Sequence, residues 1–102
     1  MAKAKKKAEQ KIIKPGGDIV ASTANALRKK MLGIVEKGAT ALIIDLTRVE
    51  MIDSVGLGVL IAAHNSLSKA GGRLAVTNVS KDIYGLFKTM RLDQHFEVKQ
   101  VS

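Results

Sequence analysis

The residues most able to carry chemistry lie between Met51 and Leu60, in the segment MIDSVGLGVL. Asp53 and Ser54 stand where an apolar pattern of helical period begins, as residues at a helix N-terminus do. The free N–H groups of a first helical turn favour anions, so the Ser54 hydroxyl is expected where a phosphate would be tolerated. A helix cap explains the same two residues, and this pattern alone leaves both interpretations open.

Two glycines follow in the same predicted turn. Gly56 and Gly58 each cost roughly 1 kcal/mol in helix propensity relative to alanine. Because glycine has no side chain, the pair would leave a bare surface that the backbone of another protein can approach closely. Close packing of the helix against its own sheet is the other interpretation.

The elements that position this segment follow from hydrophobic periodicity. Apolar residues at helical spacing predict helices before Gly38, over Val55–Lys69 and over Asp82–Met90, the first capped by Ser22 or Thr23 and the last by Ser80. Short apolar runs predict strands at Lys11–Lys14, Ala41–Leu46, Arg73–Val79 and Leu92–Val98. Strands that alternate with helices predict an α/β fold with a four- to five-stranded mixed sheet and crossover helices. Ala41–Leu46 is apolar without alternation, which predicts a strand buried on both faces.

Composition narrows the class of protein. At 102 residues the chain is expected to form one domain, and its 46% hydrophobic residues include no run long enough for a membrane span. The chain has no cysteine, which excludes disulfides and thiolate metal sites. The basic N-terminus lacks the apolar region of a secretory signal, and we therefore expect a cytoplasmic protein.

Positive charge is concentrated at the N-terminus. Residues 1–14 hold six lysines and one glutamate of a chain whose net charge is +8. We expect residues 1–10 to form a solvated, mobile segment and residues 11–102 to form the domain. Direct nucleic-acid binding is not expected, because three aromatic residues are too few for a stacking platform. A nucleic-acid-associated protein that uses the basic N-terminal segment is a further alternative.

The sequence does not contain a known nucleotide-binding loop or a recognisable set of catalytic residues. Gly56 and Gly58 lack the third glycine of a dinucleotide-binding loop. His64 lies ten residues beyond Ser54 on the same predicted helix, about 15 Å away, too far to act as its base. Asp45 and Asp53 could form a carboxylate pair around a cation, but a strand end and a helix cap explain them equally well. We therefore expect that the protein is not an enzyme and has no catalytic residue, metal site or cofactor.

Residues 53–60, DSVGLGVL, follow a strand that ends Asp45-Leu46 and resemble the signature of the STAS domain, specifically of the anti-sigma factor antagonists. The resemblance continues through Ala70–Leu74 and Ile83–Phe87, and covers the chain from about Ile12 to Val98. It implies a single STAS-type domain with an α/β sheet.

The resemblance also implies functional residues. The family's serine directly after the aspartate is phosphorylated by a partner kinase, and it corresponds to Ser54. The implied partner-binding residues are Asp53, Ser54, Val55, Gly56, Leu57, Gly58, Asp18 and Thr23. The chain departs from the family at Val20, which stands where an aspartate usually precedes the first helix.

The function implied by the resemblance is a phosphorylation-controlled binding switch. The unphosphorylated protein would bind an anti-sigma factor with serine kinase activity and so free a sigma factor. Phosphorylation at Ser54 would inactivate the protein, and a PP2C-type phosphatase would remove the phosphate. A monomer or weak dimer is expected. The alternative is a STAS scaffold or regulatory subunit of another assembly, such as a stressosome-like, lipid-transport or chemoreceptor-linked complex.

Overall fold

The computed structural model describes residues 10–101, so the prediction for the Lys-rich segment falls largely outside the described residues. The elements in chain order are β1 (Gln10–Ile13), α1 (Ala21–Glu36), β2 (Ala41–Asp45), α2 (Ser54–Lys69), β3 (Arg73–Val79), α3 (Lys81–Thr89), a 3₁₀ turn (Leu92–Gln94) and β4 (Glu97–Gln100). This alternation confirms the predicted α/β fold. The final strand is shorter than predicted, because Arg91 adopts a left-handed conformation (φ 60°) and the 3₁₀ turn follows it.

The sheet has four strands in the order β1-β2-β3-β4, within the predicted range. All three pairings are parallel, so the mixed character of the predicted sheet has no counterpart among residues 10–101. The reason is connectivity: a helix joins each strand to the next, and such a crossover returns the chain to the same end of the sheet.

One face of the sheet carries the core. Ile13, Ile44, Val76 and Val98 form a row across the four strands, and their register places all four on the same face. On the opposite face Ile12 is 58% exposed, and β2 alternates between buried and partly buried residues. The prediction that β2 is buried on both faces is therefore wrong, because an apolar composition does not itself supply a second covering layer.

The helices pack their apolar stripes onto the same core. In α2 the predicted residues Leu57, Leu60 and Leu67 are buried, and in α3 Ile83 and Phe87 are buried. The predicted cap of α3 is confirmed, because the Ser80 hydroxyl accepts the Ile83 N–H at 3.3 Å. Met90 does not join the stripe as predicted, since it follows the last turn of α3 and is 47% exposed.

The start of α1 differs from the prediction by two or three residues. Val20 occupies the N-cap position, and Thr23 lies in the first turn rather than capping it. The Thr23 hydroxyl instead accepts the Val20 N–H at 3.0 Å. At the other end Gly38 follows the C-cap with φ 94°, as predicted for a helix that ends in glycine.

Candidate functional site

The site is built where two loops meet at the carboxyl end of the sheet. The loops after β1 and β2 join at an isolated parallel bridge between Ile19 and Ile52. The Ile19 N–H donates to the Met51 carbonyl at 3.0 Å, and the Asp53 N–H donates to the Ile19 carbonyl at 3.2 Å. Because β1 and β2 are neighbouring parallel strands, their carboxyl ends lie side by side and place both loops together. The bridge fixes the segment that leads into Ser54.

Asp18 holds the same segment from the other loop. One of its carboxylate oxygens accepts the N–H groups of Glu50 and Met51, each at 3.1 Å. Its carbonyl accepts the Thr23 hydroxyl at 2.8 Å. Asp18 and Thr23 were both predicted to bind a partner, and the structure gives each of them an internal positioning contact.

The Asp53 carboxylate connects the starts of two helices. Oδ1 accepts the Gly56 N–H of α2 at 2.8 Å, and Oδ2 accepts the Ala21 N–H of α1 at 2.9 Å. The Gly56 N–H lowers the pKa of this carboxyl below its usual range, and the Ala21 N–H adds to the effect while desolvation opposes it. Asp53 is therefore ionised at neutral pH, and it fixes α1 and α2 relative to each other as well as capping α2 as predicted.

Ser54 is the first residue of α2 and is exposed. Met51 and Val55, close to it in sequence, are also exposed, at 56% and 48%. A hydroxyl at this place is accessible to an enzyme, and the apolar residues beside it would be covered by a bound protein. The positive end of α2 favours an anion here.

The two glycines of this turn have different surroundings. A β-carbon at Gly56 would collide with the carbonyl oxygen of Ile19, whereas a β-carbon at Gly58 would have no described residue within 4 Å. Gly56 and Leu57 are both buried. The predicted bare glycine surface is thus wrong for Gly56, which allows the two loops to pack, and it holds for Gly58, whose missing side chain faces solvent.

A groove between α1 and α2 begins beside Ser54, and no local pattern in the sequence predicts it. Val55 and Gly58 line one side and Ala21, Asn25 and Arg28 line the other, around a cavity of about 260 Å³. Arg28 Nη2 donates to Asn25 Oδ1 at 3.2 Å, which places a guanidinium along the groove. The position of Arg28 opposite α2 depends on how the two helices pack.

Asp45 and Asp53 accept hydrogen bonds from different sets of donors. Asp45 accepts the hydroxyl and N–H of Thr47 at 2.6 and 2.9 Å and the Asn78 side-chain amide at 3.0 Å. These hydrogen bonds, led by the Thr47 hydroxyl, lower the pKa of Asp45 to about 2. Within residues 10–101, no three potential ligands are grouped for a metal ion.

The histidines lie together at a distance from the start of α2. The ring centroids of His64 and His95 are 6.0 Å apart, and that of His64 is 5.7 Å from Phe96. His64 is partly buried at the edge of the core, as predicted.

Among the helices that the structure describes, none combines the length and the hydrophobicity of a membrane span.

Comparisons with known proteins identify the family of the chain. The family model of the STAS domain matches residues 1–102. The anti-sigma-B factor antagonist of Listeria monocytogenes is 34% identical over 85 residues, which are 83% of this chain and 75% of that protein. The anti-sigma-F factor antagonist RsfB of Mycobacterium tuberculosis is 36% identical over 86 residues, 79% of this chain and 70% of that protein.

A solved structure shows the same fold. A Thermotoga maritima protein described as an anti-sigma factor antagonist superimposes with a TM-score of 0.84 at 24% identity, covering 89% of this chain and 79% of that one. The family model, the identity to the two relatives and the shared fold agree. The chain belongs to the STAS domain family, among the anti-sigma factor antagonists.

Proposed function

We propose that this protein antagonises an anti-sigma factor by binding it, and that phosphorylation of Ser54 switches the binding off. The observation that carries the proposal is the exposed Ser54 hydroxyl at the start of α2, next to a loop held by the Ile19–Ile52 bridge and by Asp18. The curated relatives bear the name anti-sigma factor antagonist, which supports the same role here.

The unmodified protein would dock its partner around Ser54. Met51 and Val55 provide exposed apolar area, and Gly58 leaves room for the partner's backbone to come close. Asp18, Thr23 and Asp53 hold the shape of this surface through the hydrogen bonds described above. The partner is an anti-sigma factor with serine kinase activity, and its capture would free a sigma factor.

Phosphorylation would change the charge of the surface rather than its fold. A phosphate at Ser54 adds about −1.5 to −2 charge directly beside the ionised Asp53 carboxylate. Because Asp53 already accepts N–H groups from both helices, it stays in place and keeps its charge. The local charge would change from about −1 to about −2.5 to −3, and the partner surface would be disfavoured by repulsion and desolvation. A PP2C-type phosphatase would restore the unmodified surface.

Mass spectrometry after incubation with the anti-sigma factor kinase and ATP tests the modified residue. We expect a single phosphate on Ser54 and no label on the Ser54→Ala variant. Ser22→Ala is a matched control, because Ser22 is an exposed serine in the first turn of the neighbouring helix. Label that persists in Ser54→Ala, or that is lost in Ser22→Ala, contradicts the assignment of the site.

The scaffold alternative makes a different prediction about the partner. If the domain belongs to a stressosome-like, lipid-transport or chemoreceptor-linked assembly, the protein that binds it is not an anti-sigma factor. Binding measured with the purified anti-sigma factor of the same cell separates the two cases, since a scaffold would show none.

A further inference from the structure

A second cavity opens on the other side of α1 from the groove beside Ser54. It has a volume of about 290 Å³ and lies between the β1–α1 loop and one face of α1. Its lining includes Ile13, Pro15 and Ile19 from the strand and loop, and Thr23, Leu27 and Lys30 from the helix. The volume corresponds to about ten water-sized groups, near the lower limit of ordinary ligand pockets.

The inner wall of this cavity is apolar and rigid. Ile13, Ile19 and Leu27 belong to the buried core, so their side chains cannot swing into the space without opening the core. Ala26, an exposed residue of α1, also lines the cavity, and its small side chain leaves the space that a larger residue would fill. An apolar chain of matching length would replace water against these side chains, which is favourable.

The rim of the cavity is cationic. Lys14 and Lys30 line it, and Lys30 has no salt bridge among residues 10–101. Lys14 pairs only loosely with Asp45, at 4.0 Å, and its side chain is 70% exposed. The acid on the rim is Asp18, whose Oδ1 is occupied by the N–H groups of Glu50 and Met51. Asp18 keeps its negative charge, so the lining residues carry a net charge of +1 beside the apolar wall, from two lysines and one aspartate.

We infer that this cavity binds a small amphipathic carboxylate, a medium-chain acyl or similar apolar acid, with its tail on the Ile13–Leu27 wall and its carboxylate at Lys14 and Lys30. The ligand would contact the loop that carries Asp18 and Ile19, and these two residues hold the segment entering Ser54. The site does not depend on the proposed function, because it shares no exposed residue with the surface of Ser54, Val55 and Gly58.

Titration of the ¹⁵N-labelled full chain with octanoate, followed by amide chemical shifts, tests the inference. We expect saturable shifts at Gly17, Asp18, Thr23 and Ala26, with small shifts elsewhere. Octan-1-ol, which has the tail without the charge, is expected to bind several-fold more weakly. Shifts that do not saturate, or that scatter over exposed apolar residues such as Ile12 and Val101, would show non-specific contact and overturn the site.

Two matched pairs of variants assign the contacts. Lys30→Gln should weaken octanoate about threefold, the scale of an exposed ion pair, whereas Lys29→Gln on the same helix should leave it unchanged, since Lys29 does not line the cavity. Ala26→Met should fill the cavity and abolish saturable binding, and Ala62→Met, an exposed alanine of α2 outside this cavity, should not. If the two variants of either pair change the affinity for octanoate equally, the inference is contradicted.

Discussion

At the scale of single residues, the site depends on carboxylates that accept backbone N–H groups. Asp53 joins the first turns of α1 and α2, and Asp18 holds Glu50 and Met51. Both were predicted to touch a partner, yet their hydrogen bonds explain them as positioning residues. Ser54 differs from them, because its side chain is exposed beside exposed apolar neighbours. The chemistry of the surface is therefore concentrated on one hydroxyl, and the residues around it supply its position.

Asp45 gives a pH-dependent test at the residue scale. Its folded pKa of about 2 lies below its usual 3.8, so its contribution to stability is full above pH 3.8 and is lost as the pH falls towards 2. We expect Asp45→Asn to lower the free energy of unfolding by about 1–2 kcal/mol at pH 7, because charged acceptors bond Thr47 and Asn78 more strongly than an amide does.

Urea unfolding at several pH values measures this effect. The difference between wild type and Asp45→Asn should shrink as the pH is lowered from about 4 to 2. Glu97→Gln is the control, because its salt bridge with Lys99 is exposed and should change stability by less than about 0.5 kcal/mol. A difference that stays constant across this pH range would contradict the role given to Asp45.

At the scale of elements, the first turn of α2 has an inner and an outer side. Gly56 and Leu57 face the loop and the core, and Val55 and Gly58 face solvent. The inner side is required by the Ile19–Ile52 bridge, which brings backbone against the helix. Only the outer side remains for a partner, which narrows the surface implied by the sequence.

The two glycines offer a paired substitution that separates these roles. Gly56→Ala should destabilise the fold by about 1–3 kcal/mol, because its β-carbon would overlap the Ile19 carbonyl. Gly58→Ala should stabilise α2 by about 0.5–1 kcal/mol, because the site is open and alanine has the higher helix propensity. Chemical denaturation compares them directly; equal effects of the same sign would contradict the assignment of sides.

The hydrogen bonds by which Asp18 holds the loop before α2 can be tested separately. Asp18→Ala removes the acceptor of the Glu50 and Met51 N–H groups and should cost about 1–3 kcal/mol. We expect faster amide hydrogen exchange at Glu50 and Met51. Exchange at Leu42 and Ile44 in the central strand should change only by the amount that the loss of global stability explains. Asp82→Ala, an exposed acid in the first turn of α3, should leave the loop unchanged. Unaltered exchange at Glu50 and Met51 in Asp18→Ala would show that Asp18 is not needed to hold this loop.

At the scale of the whole molecule, the sequence predicted what depends on local pattern and missed what depends on distant contacts. The stripe of Leu57, Leu60 and Leu67 predicted α2 because helical period is visible within one segment. The Ile19–Ile52 bridge joins residues 33 positions apart, and the collision at Gly56 depends on that bridge, so no local pattern contained either. Met51–Leu60 was identified as the site, but which of its residues face outward required the packed fold.

The most direct test of the central claim is the affinity of the anti-sigma factor kinase for the two forms of this protein, measured by isothermal titration calorimetry. We predict that the unmodified protein and Ser54→Ala both bind, and that phosphorylation of Ser54 weakens binding at least about tenfold, a change of about 1.4 kcal/mol. Equal affinity for the unmodified and phosphorylated forms would contradict the account.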